Sequence, residues 1–221
     1  MTGTGTTEHV SALAPFGNRA FKWLWIGVVI SSVGAWAQMV GAQWLFISDP
    51  NAATIVALVQ TASVLPMLLF GLAAGALADA FDRRRLLLFV QLYSGTVAII
   101  LAVLTWLDRM PPLLLLAFTF LIGAGTAMQV PTWQPLITEL VPRSQIAQAT
   151  RLDMVSVNVA RAVGPAIAGL IIAAWGVPLV FLLTAVSALF LIGALLAWRR
   201  PDESPRARER FLPALRAGGR Y

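Results

Sequence analysis

The stretch Gly75-Ala-Leu-Ala-Asp79-Ala-Phe-Asp82-Arg83-Arg84-Arg85 interrupts a long apolar sequence, and five of its last seven residues are charged. Hydrocarbon cannot accept so many charges, so the stretch is predicted to be a short polar hairpin between two membrane-spanning helices. The three adjacent arginines predict that this hairpin is cytoplasmic, because short loops rich in Arg and Lys resist translocation. The orientation of every other segment follows from this one assignment.

The overall composition is that of a polytopic membrane protein. Of the 221 residues, 58% are hydrophobic and only 12% are charged, whereas a soluble domain carries about 25% charged residues. The net charge of +6 does not indicate nucleic-acid binding, because no basic face is interleaved with aromatic residues. The chain has no Cys, and its single histidine, His9, lies in a Thr-rich segment. We therefore expect no disulfide, metal site or cofactor.

The apolar runs predict an all-α protein with six transmembrane helices, each at or above the ~20 residues that cross a bilayer. The predicted spans are approximately 21–47, 54–78, 86–107, 113–140, 149–175 and 179–198. Residues 1–20 are expected to be a cytoplasmic tail, and residues 199–221 a basic cytoplasmic linker. The first run is far longer than the apolar core of a signal peptide, so it is expected to stay in the membrane.

The distribution of basic residues supports this topology. With both termini cytoplasmic, the cytoplasmic parts contain thirteen basic residues: Arg19, Lys22, Arg83, Arg84, Arg85, Arg143 and the seven arginines of 199–221. The three outer turns contain only Arg109. This excess of basic residues on the cytoplasmic side is typical of multi-pass proteins in a lipid bilayer.

Polar residues inside two apolar runs share helix faces: Ser31, Ala35 and Gln38 on the first run, and Thr126, Gln129 and Trp133 on the fourth. Polar side chains in spanning helices face the bundle interior or a wet cavity. Both faces are therefore candidates for the lining of a transport path. Hydrogen bonding that merely holds the helices together explains them equally well.

The fifth run carries an arginine near its middle. Asn158 and Arg161 are neighbours at i and i+3, and an arginine at this depth costs several kcal/mol unless it has partners. Candidate partners are Asn158, a backbone carbonyl freed near Pro165, and Asp153. Arg161 is either functional or a structural pin between helices. The tryptophans towards the ends of the runs are predicted to be interfacial anchors: Trp36, Trp44, Trp106, Trp175 and Trp198.

No enzyme motif is present. The chain contains no HExxH, no P-loop, and no GxSxG followed by a suitable histidine. Asp79 and Asp82 are close enough in sequence to suggest a catalytic pair. Roles as loop caps and as partners of the neighbouring arginines explain them better, so we expect that the protein is not an enzyme.

Two motifs resemble those of the major facilitator superfamily. The stretch Gly75–Arg85 is similar to its signature loop between helices 2 and 3, with Ala80 and Asp82 where Arg and Gly are usual. Gly164-Pro165-Ala-Ile-Ala168-Gly169 resembles the antiporter motif of helix 5, with Ala168 in place of a Gly.

The chain is most similar to the branch of enterobactin exporters, macrolide efflux proteins and transmembrane secretion effectors, over nearly all of its length after residue 15. The stretches that carry the resemblance are Phe21-Lys-Trp-Leu-Trp-Ile-Gly27, Val130-Pro-Thr-Trp-Gln-Pro135, Glu139-Leu-Val-Pro-Arg143, Asn158-Val-Ala-Arg-Ala-Val-Gly-Pro165, and Glu209-Arg-Phe211 followed by Ala217-Gly-Gly-Arg-Tyr221. The resemblance implies a proton-driven exporter of small molecules in a bacterial inner membrane. It also implies twelve helices in two halves of 3+3 inverted repeats, of which this chain resembles the N-terminal half.

These observations lead to one main hypothesis, in which the chain is half of an exporter of amphipathic or siderophore-like molecules. Gln38, Gln129 and Trp133 would line the path, and Asn158 and Arg161 would hold or couple it. A gating loop would contain Gly75, Asp79, Asp82, Arg83 and Arg84, with Asp79 and Arg83 as its latch. The partner would be a second six-helix half or another copy of the chain. The alternative is a truncated, non-transporting remnant or a half that acts only as a dimerising membrane protein.

Overall fold

The computed structural model describes residues 11–198 and contains six long helices in that range, with no strand there. Their bounds are α1 Arg19–Trp44, α2 Ala52–Ala80, α3 Arg83–Trp106, α4 Pro112–Leu140, α5 Ile146–Trp175 and α6 Val177–Ala197. Each helix is long and apolar enough to cross a membrane, so the prediction of an all-α, six-span protein is confirmed. Residues 1–10 of the predicted tail and the whole predicted linker 199–221 lie outside the described residues.

Side chains at the connections define where the helices begin. The Asn18 carboxamide accepts a hydrogen bond from the Ala20 amide (2.9 Å) at the start of α1, and Asp82 accepts one from the Arg85 amide (2.9 Å) at the start of α3. Both satisfy amide groups that have no partner inside the helix. Asp82 is thus a helix cap, as expected from the sequence.

The two ends of the bundle differ in charge. Six antiparallel spans place the start of α1, the α2–α3 and α4–α5 connections and the end of α6 on one side, which we call the arginine-rich end. It carries Arg19, Lys22, Arg83, Arg84, Arg85 and Arg143. The opposite, arginine-poor end has Arg109 as its one basic residue in the described chain.

The packing follows a repeat of three helices. α1 packs on α5 and α6, α4 packs on α2 and α3, and α3 packs on α6. Exchanging α1, α2 and α3 for α4, α5 and α6 leaves this set of neighbours unchanged. The arrangement is that of two inverted three-helix repeats, and it agrees with half of a major facilitator fold.

Glycines allow the closest contact between the repeats. Gly27, Gly34 and Gly41 follow one another at seven-residue intervals on α1 and all face α6. A Cβ atom on Gly34 would lie 2.3 Å from Ser187 Oγ, so no larger residue fits there. Without it, Thr184 Oγ1 reaches the Gly34 carbonyl and donates a hydrogen bond of 2.9 Å. Small residues give helices the same close approach in lipid generally.

The apolar core is divided into two main clusters. One lies towards the arginine-rich end and includes Phe21, Leu136 and Leu195, and the other lies towards the arginine-poor end and includes Val59 and Phe181. Between them α1, α3 and α4 place polar side chains. The candidate site occupies this middle layer and its border with the first cluster.

Candidate functional site

A chain of neutral polar groups crosses the middle of the bundle. Ser31 of α1 donates to Gln91 Oε1 of α3 (3.4 Å), and Gln91 Nε2 donates to Gln129 Oε1 of α4 (2.9 Å). Gln91 is almost fully buried. Gln129 was expected here from the sequence, but Gln91 was missed, although it is an isolated amide inside an apolar run. Gln91 therefore links α1, α3 and α4, and Gln129 is the α4 end of this chain besides being a candidate for the path.

Gln38 is buried in α1, and its Oε1 atom accepts no hydrogen bond from any residue of 11–198. A buried amide oxygen without a donor costs about 1–3 kcal/mol. Such an atom is available as an acceptor for a hydroxyl or amine. Ala35, which shares its predicted face, is exposed.

Trp133 lies in a different environment from the predicted path lining. Its side chain is only 5% exposed, and its indole Nε1 donates to Asp153 Oδ1 of α5 at 2.8 Å. Thr126, predicted on the same face, is exposed and donates back to the Ile122 carbonyl (3.3 Å). The residues predicted to share this face therefore lie in different environments, because the long Trp133 indole reaches the neighbouring helix α5.

Asp153 is more central to the site than its position in the sequence suggested. Its side chain is 5% exposed, and its second oxygen, Oδ2, accepts a hydrogen bond from Gln134 Nε2 (3.2 Å). The preceding carbonyl, that of Leu152, accepts from the indole of Trp25 on α1 (3.1 Å). Two tryptophans from two helices thus hold the same turn of α5. The available signal was an acid within a predicted span.

Arg161 is held by an aromatic ring rather than by the expected polar groups. Its guanidinium carbon lies 5.2 Å from the centre of the Trp36 ring, within the range of a cation–π interaction. Asn158 instead donates to the Met154 carbonyl of its own helix (2.9 Å), and Asp153 is engaged by Trp133. The guanidinium remains exposed at the middle of α5. Trp36, expected to be an interfacial anchor, lies within α1 under this charge.

The antiporter-like segment of α5 brings Trp36 into place. A Cβ atom on Gly164 would lie 2.6 Å from Trp36 Cβ, so the glycine is required for the contact. Pro165, one residue on, has no N–H to donate to the Arg161 carbonyl, and this removes one helical hydrogen bond beside the charge. Gly169 faces open space, since a Cβ atom added there would meet no neighbouring atom within 4 Å.

The predicted gating loop is organised by an ion pair that differs from the expected one. Arg83 pairs with Glu139, joining the start of α3 to the end of α4. Asp79 is exposed and makes no hydrogen bond or ion pair with any other residue of 11–198. Asp79 and Arg83 are therefore not paired with each other within this half, because the Arg83 side chain turns towards α4.

Arg84 closes the end of another helix. Its Nε donates to the Leu195 carbonyl (2.7 Å) and its Nη2 to the Leu196 carbonyl (3.2 Å). These carbonyls belong to the last turn of α6, where cations are stabilised. Gly75, at the start of the loop motif, faces open space like Gly169.

The relatives described below are named as transporters or efflux proteins. The family model described as transmembrane secretion effector matches residues 10–221. The chain is 30% identical over 166 residues to the staphyloferrin A transporter of Staphylococcus aureus. The match covers 75% of this chain and 42% of that protein. It is 22% identical over 177 residues to macrolide efflux protein A of Streptococcus pyogenes, with coverages of 80% and 42%.

A third relative is the multidrug efflux pump Tap of Mycobacterium tuberculosis, which is 26% identical over 154 residues. That match covers 67% of this chain and 36% of the pump. The chain thus spans less than half the length of the curated relatives that it matches.

Proposed function

Because this chain belongs to the transmembrane secretion effector family of the major facilitator superfamily, we propose that it forms one six-helix half of a secondary exporter. The cargo is an amphipathic small molecule or a siderophore-like compound, since the named relatives include a siderophore transporter and efflux proteins. The driving ion is the proton. The protein is a carrier and not an enzyme.

Arg161 is the observation that carries the proposal. It is the one charged residue near the middle of a described helix, and it is exposed there without an acidic partner among residues 11–198. A guanidinium facing lipid at this depth is costly. A water-filled path between two halves gives it a polar environment, and the cation–π contact with Trp36 fixes its position.

The path is assembled from α1, α4 and α5. Gln129 supplies an amide, Asn158 and Arg161 supply an exposed polar edge, and Gln38 holds an unused acceptor that is buried in α1. Trp133 does not line the path itself, but its hydrogen bond to Asp153 joins α4 to α5. Alternating access then follows from rocking of this half against a second half.

The gate lies at the arginine-rich end, which we place in the cytoplasm of a bacterium together with both termini. Arg83 with Glu139 ties α3 to α4, and Arg84 ties the same loop to α6. These contacts make the loop a rigid support. Asp79, which is exposed beside Gly75, is then free to contact a second half.

The test is proton-gradient-dependent efflux of a fluorescent amphipathic dye from vesicles that contain the chain. Arg161→Ala is expected to abolish efflux, and Arg109→Ala, at the arginine-poor end, is the matched control that retains it. Efflux that persists in Arg161→Ala, from a protein that folds normally, would refute the proposed role of this residue.

A specific observation supports a second candidate, a half that acts only by pairing. α2 exposes Leu68 and Leu72 by 81% and 95%, next to Gly71 and Gly75, around which a Cβ would find little or nothing. A stable, correctly inserted protein that dimerises but shows no efflux of any dye would favour this function.

A further inference from the structure

Asp153 is the one acidic side chain buried in the described part of the chain. The other acids of residues 11–198 are exposed or intermediate: Asp49, Asp79, Asp82, Asp108 and Glu139. Glu139, which is partly buried near the end of α4, has Arg83 as a counter-ion. Asp153 is therefore the one position in residues 11–198 where an acidic side chain is buried inside the bundle.

Among residues 11–198 no cation forms an ion pair with Asp153. The charged groups on the elements packed against it are Arg19 and Lys22 of α1, Glu139 of α4, Arg143 before α5, and Arg151 and Arg161 of α5 itself. The basic ones are all exposed, and none forms an ion pair with Asp153. Residues Val177–Ala197 of α6 carry no charge. A buried carboxylate with only neutral donors is costly.

The two neutral donors have different chemistry. The indole of Trp133 can only donate, so it holds Oδ1 whether or not the carboxyl carries a proton. The carboxamide of Gln134 has both a donor and an acceptor. It donates Nε2 to the carboxylate, and after turning over it accepts at Oε1 from a protonated Oδ2. Each carboxyl oxygen therefore keeps one hydrogen-bond partner in either protonation state without movement of the backbone.

Gln134 also connects this buried group to the outside. Its side chain is exposed while its amide touches Oδ2. Gln134 lies six residues before the end of α4, so a proton from water at the arginine-rich end would have a short route to Oδ2. Trp133 on the other side is only 5% exposed and shields the carboxyl from the remaining directions.

We propose that Asp153 is a reversible proton-binding site whose protonation loosens α5 from α4. The proton binds to Oδ2, forming an O–H bond, and Gln134 reverses its amide to accept it; release returns the proton to water. The indole bond to a charged Oδ1 is stronger than that to a neutral carboxyl. Because α4 and α5 otherwise pack sparsely, this bond contributes a large share of their contact. As the site that couples protons to transport, this role rests on the proposed function.

Infrared difference spectroscopy on the full chain in lipid nanodiscs tests proton binding without transport. As the pH is lowered, a carboxyl that gains a proton acquires a C=O stretching band that a carboxylate lacks. Every carboxyl gives such a band once protonated, so we expect the component that belongs to Asp153 in the wild type and in Asp108→Asn, the matched control at an exposed acid. We expect its loss in Asp153→Asn. Gln134→Leu removes a donor to the charged form, so it should raise the proton affinity about tenfold.

The proposal is overturned if the wild type and Asp153→Asn give the same difference spectrum. If Asp153→Asn does not fold, Trp133→Phe decides, because loss of one hydrogen bond must shift the frequency of an Asp153 band; an unshifted band overturns the proposal. Proton binding at Asp153 in a protein without efflux would leave this inference intact and refute the exporter. A purely structural Asp153 would stay ionised throughout.

Discussion

α2 and α5 occupy equivalent positions in the two repeats, yet they differ in chemistry. Each packs mainly on one neighbour, α2 on α4 and α5 on α1, and each contains one internal proline, Pro66 or Pro165. They are the two least buried of the six helices. α2 carries no charge before Asp79 near its end, whereas α5 carries Arg151, Asp153 and Arg161.

The difference shows that the residues that position a helix are not the residues that give it charge. The close approach of each helix depends on a glycine in the contact, Gly123 for α2 and Gly164 for α5. The charges of α5 are added on top of this shared geometry, and tryptophans from α1 and α4 stabilise them. In α2 the corresponding surface carries no charge, so it suits lipid or another helix.

The largest effect should come from blocking the equivalent glycine contacts. Gly164→Leu would overlap Trp36, and Gly123→Leu would overlap the Ser63 carbonyl, since even a Cβ there lies within 2.6 Å and 2.5 Å of these groups. We expect a loss of at least about 1–3 kcal/mol from each, measured by thermal unfolding in detergent. Gly169→Leu is the control and should unfold like the wild type. If Gly164→Leu and Gly123→Leu are as stable as Gly169→Leu, the two contacts do not depend on glycine.

Removal of the buried acid should have the next largest effect. Asp153→Ala leaves the Trp133 indole without an acceptor and should lower the free energy of unfolding by about 1–3 kcal/mol. Asp79→Ala, on the equivalent helix, should change it by less than about 0.5 kcal/mol. Trp133→Phe should cost less in Asp153→Ala than in the wild type, because the hydrogen bond is already lost there. Equal costs in the two backgrounds would show that the hydrogen bond is not the cause.

The contact of Arg161 with Trp36 should contribute less, since the guanidinium is exposed. A double-mutant cycle of Trp36→Leu and Arg161→Leu should give a coupling free energy of about 0.5–1 kcal/mol. Chemical denaturation measures it. Trp44→Leu, at the end of the same helix, is the control and should show no coupling to Arg161→Leu.

The smallest effect is expected on the apolar face of α2. Leu72 is 95% exposed, so Leu72→Ala should leave the stability of the monomer within about 0.5 kcal/mol of the wild type. Val59→Ala, on the buried side of the same helix, should destabilise more. A change in the monomer–dimer equilibrium of Leu72→Ala, measured in detergent, would show that this face binds another helix.

Much of the fold followed from the sequence because it depends on local properties. The length and polarity of each run predicted six spans, and Asp82 followed by three arginines predicted a capped hairpin. The glycines at 27, 34 and 41 were visible as a regular spacing, but the spacing does not reveal that α6 is the partner.

The candidate site was less predictable because its contacts join distant helices. Arg161 and Trp36 belong to different repeats, and no spacing rule connects them. Asp153 was expected only as a candidate partner of Arg161, and the packing of Trp133 and Gln134 around it shows that it is buried. Arg83 had an acid nearby in sequence, but its partner is Glu139 on another helix.

The link between α5 and α6 has a consequence for biosynthesis. Gly176 alone separates Trp175 from Val177, and its φ of +88° favours glycine. A one-residue link leaves no room for α5 to leave the translocon before α6 follows. We expect the two helices to enter the bilayer as a hairpin, in which the strongly apolar α6 assists the insertion of Arg161. Lengthening this link would separate the two insertion events and expose the arginine to lipid during synthesis.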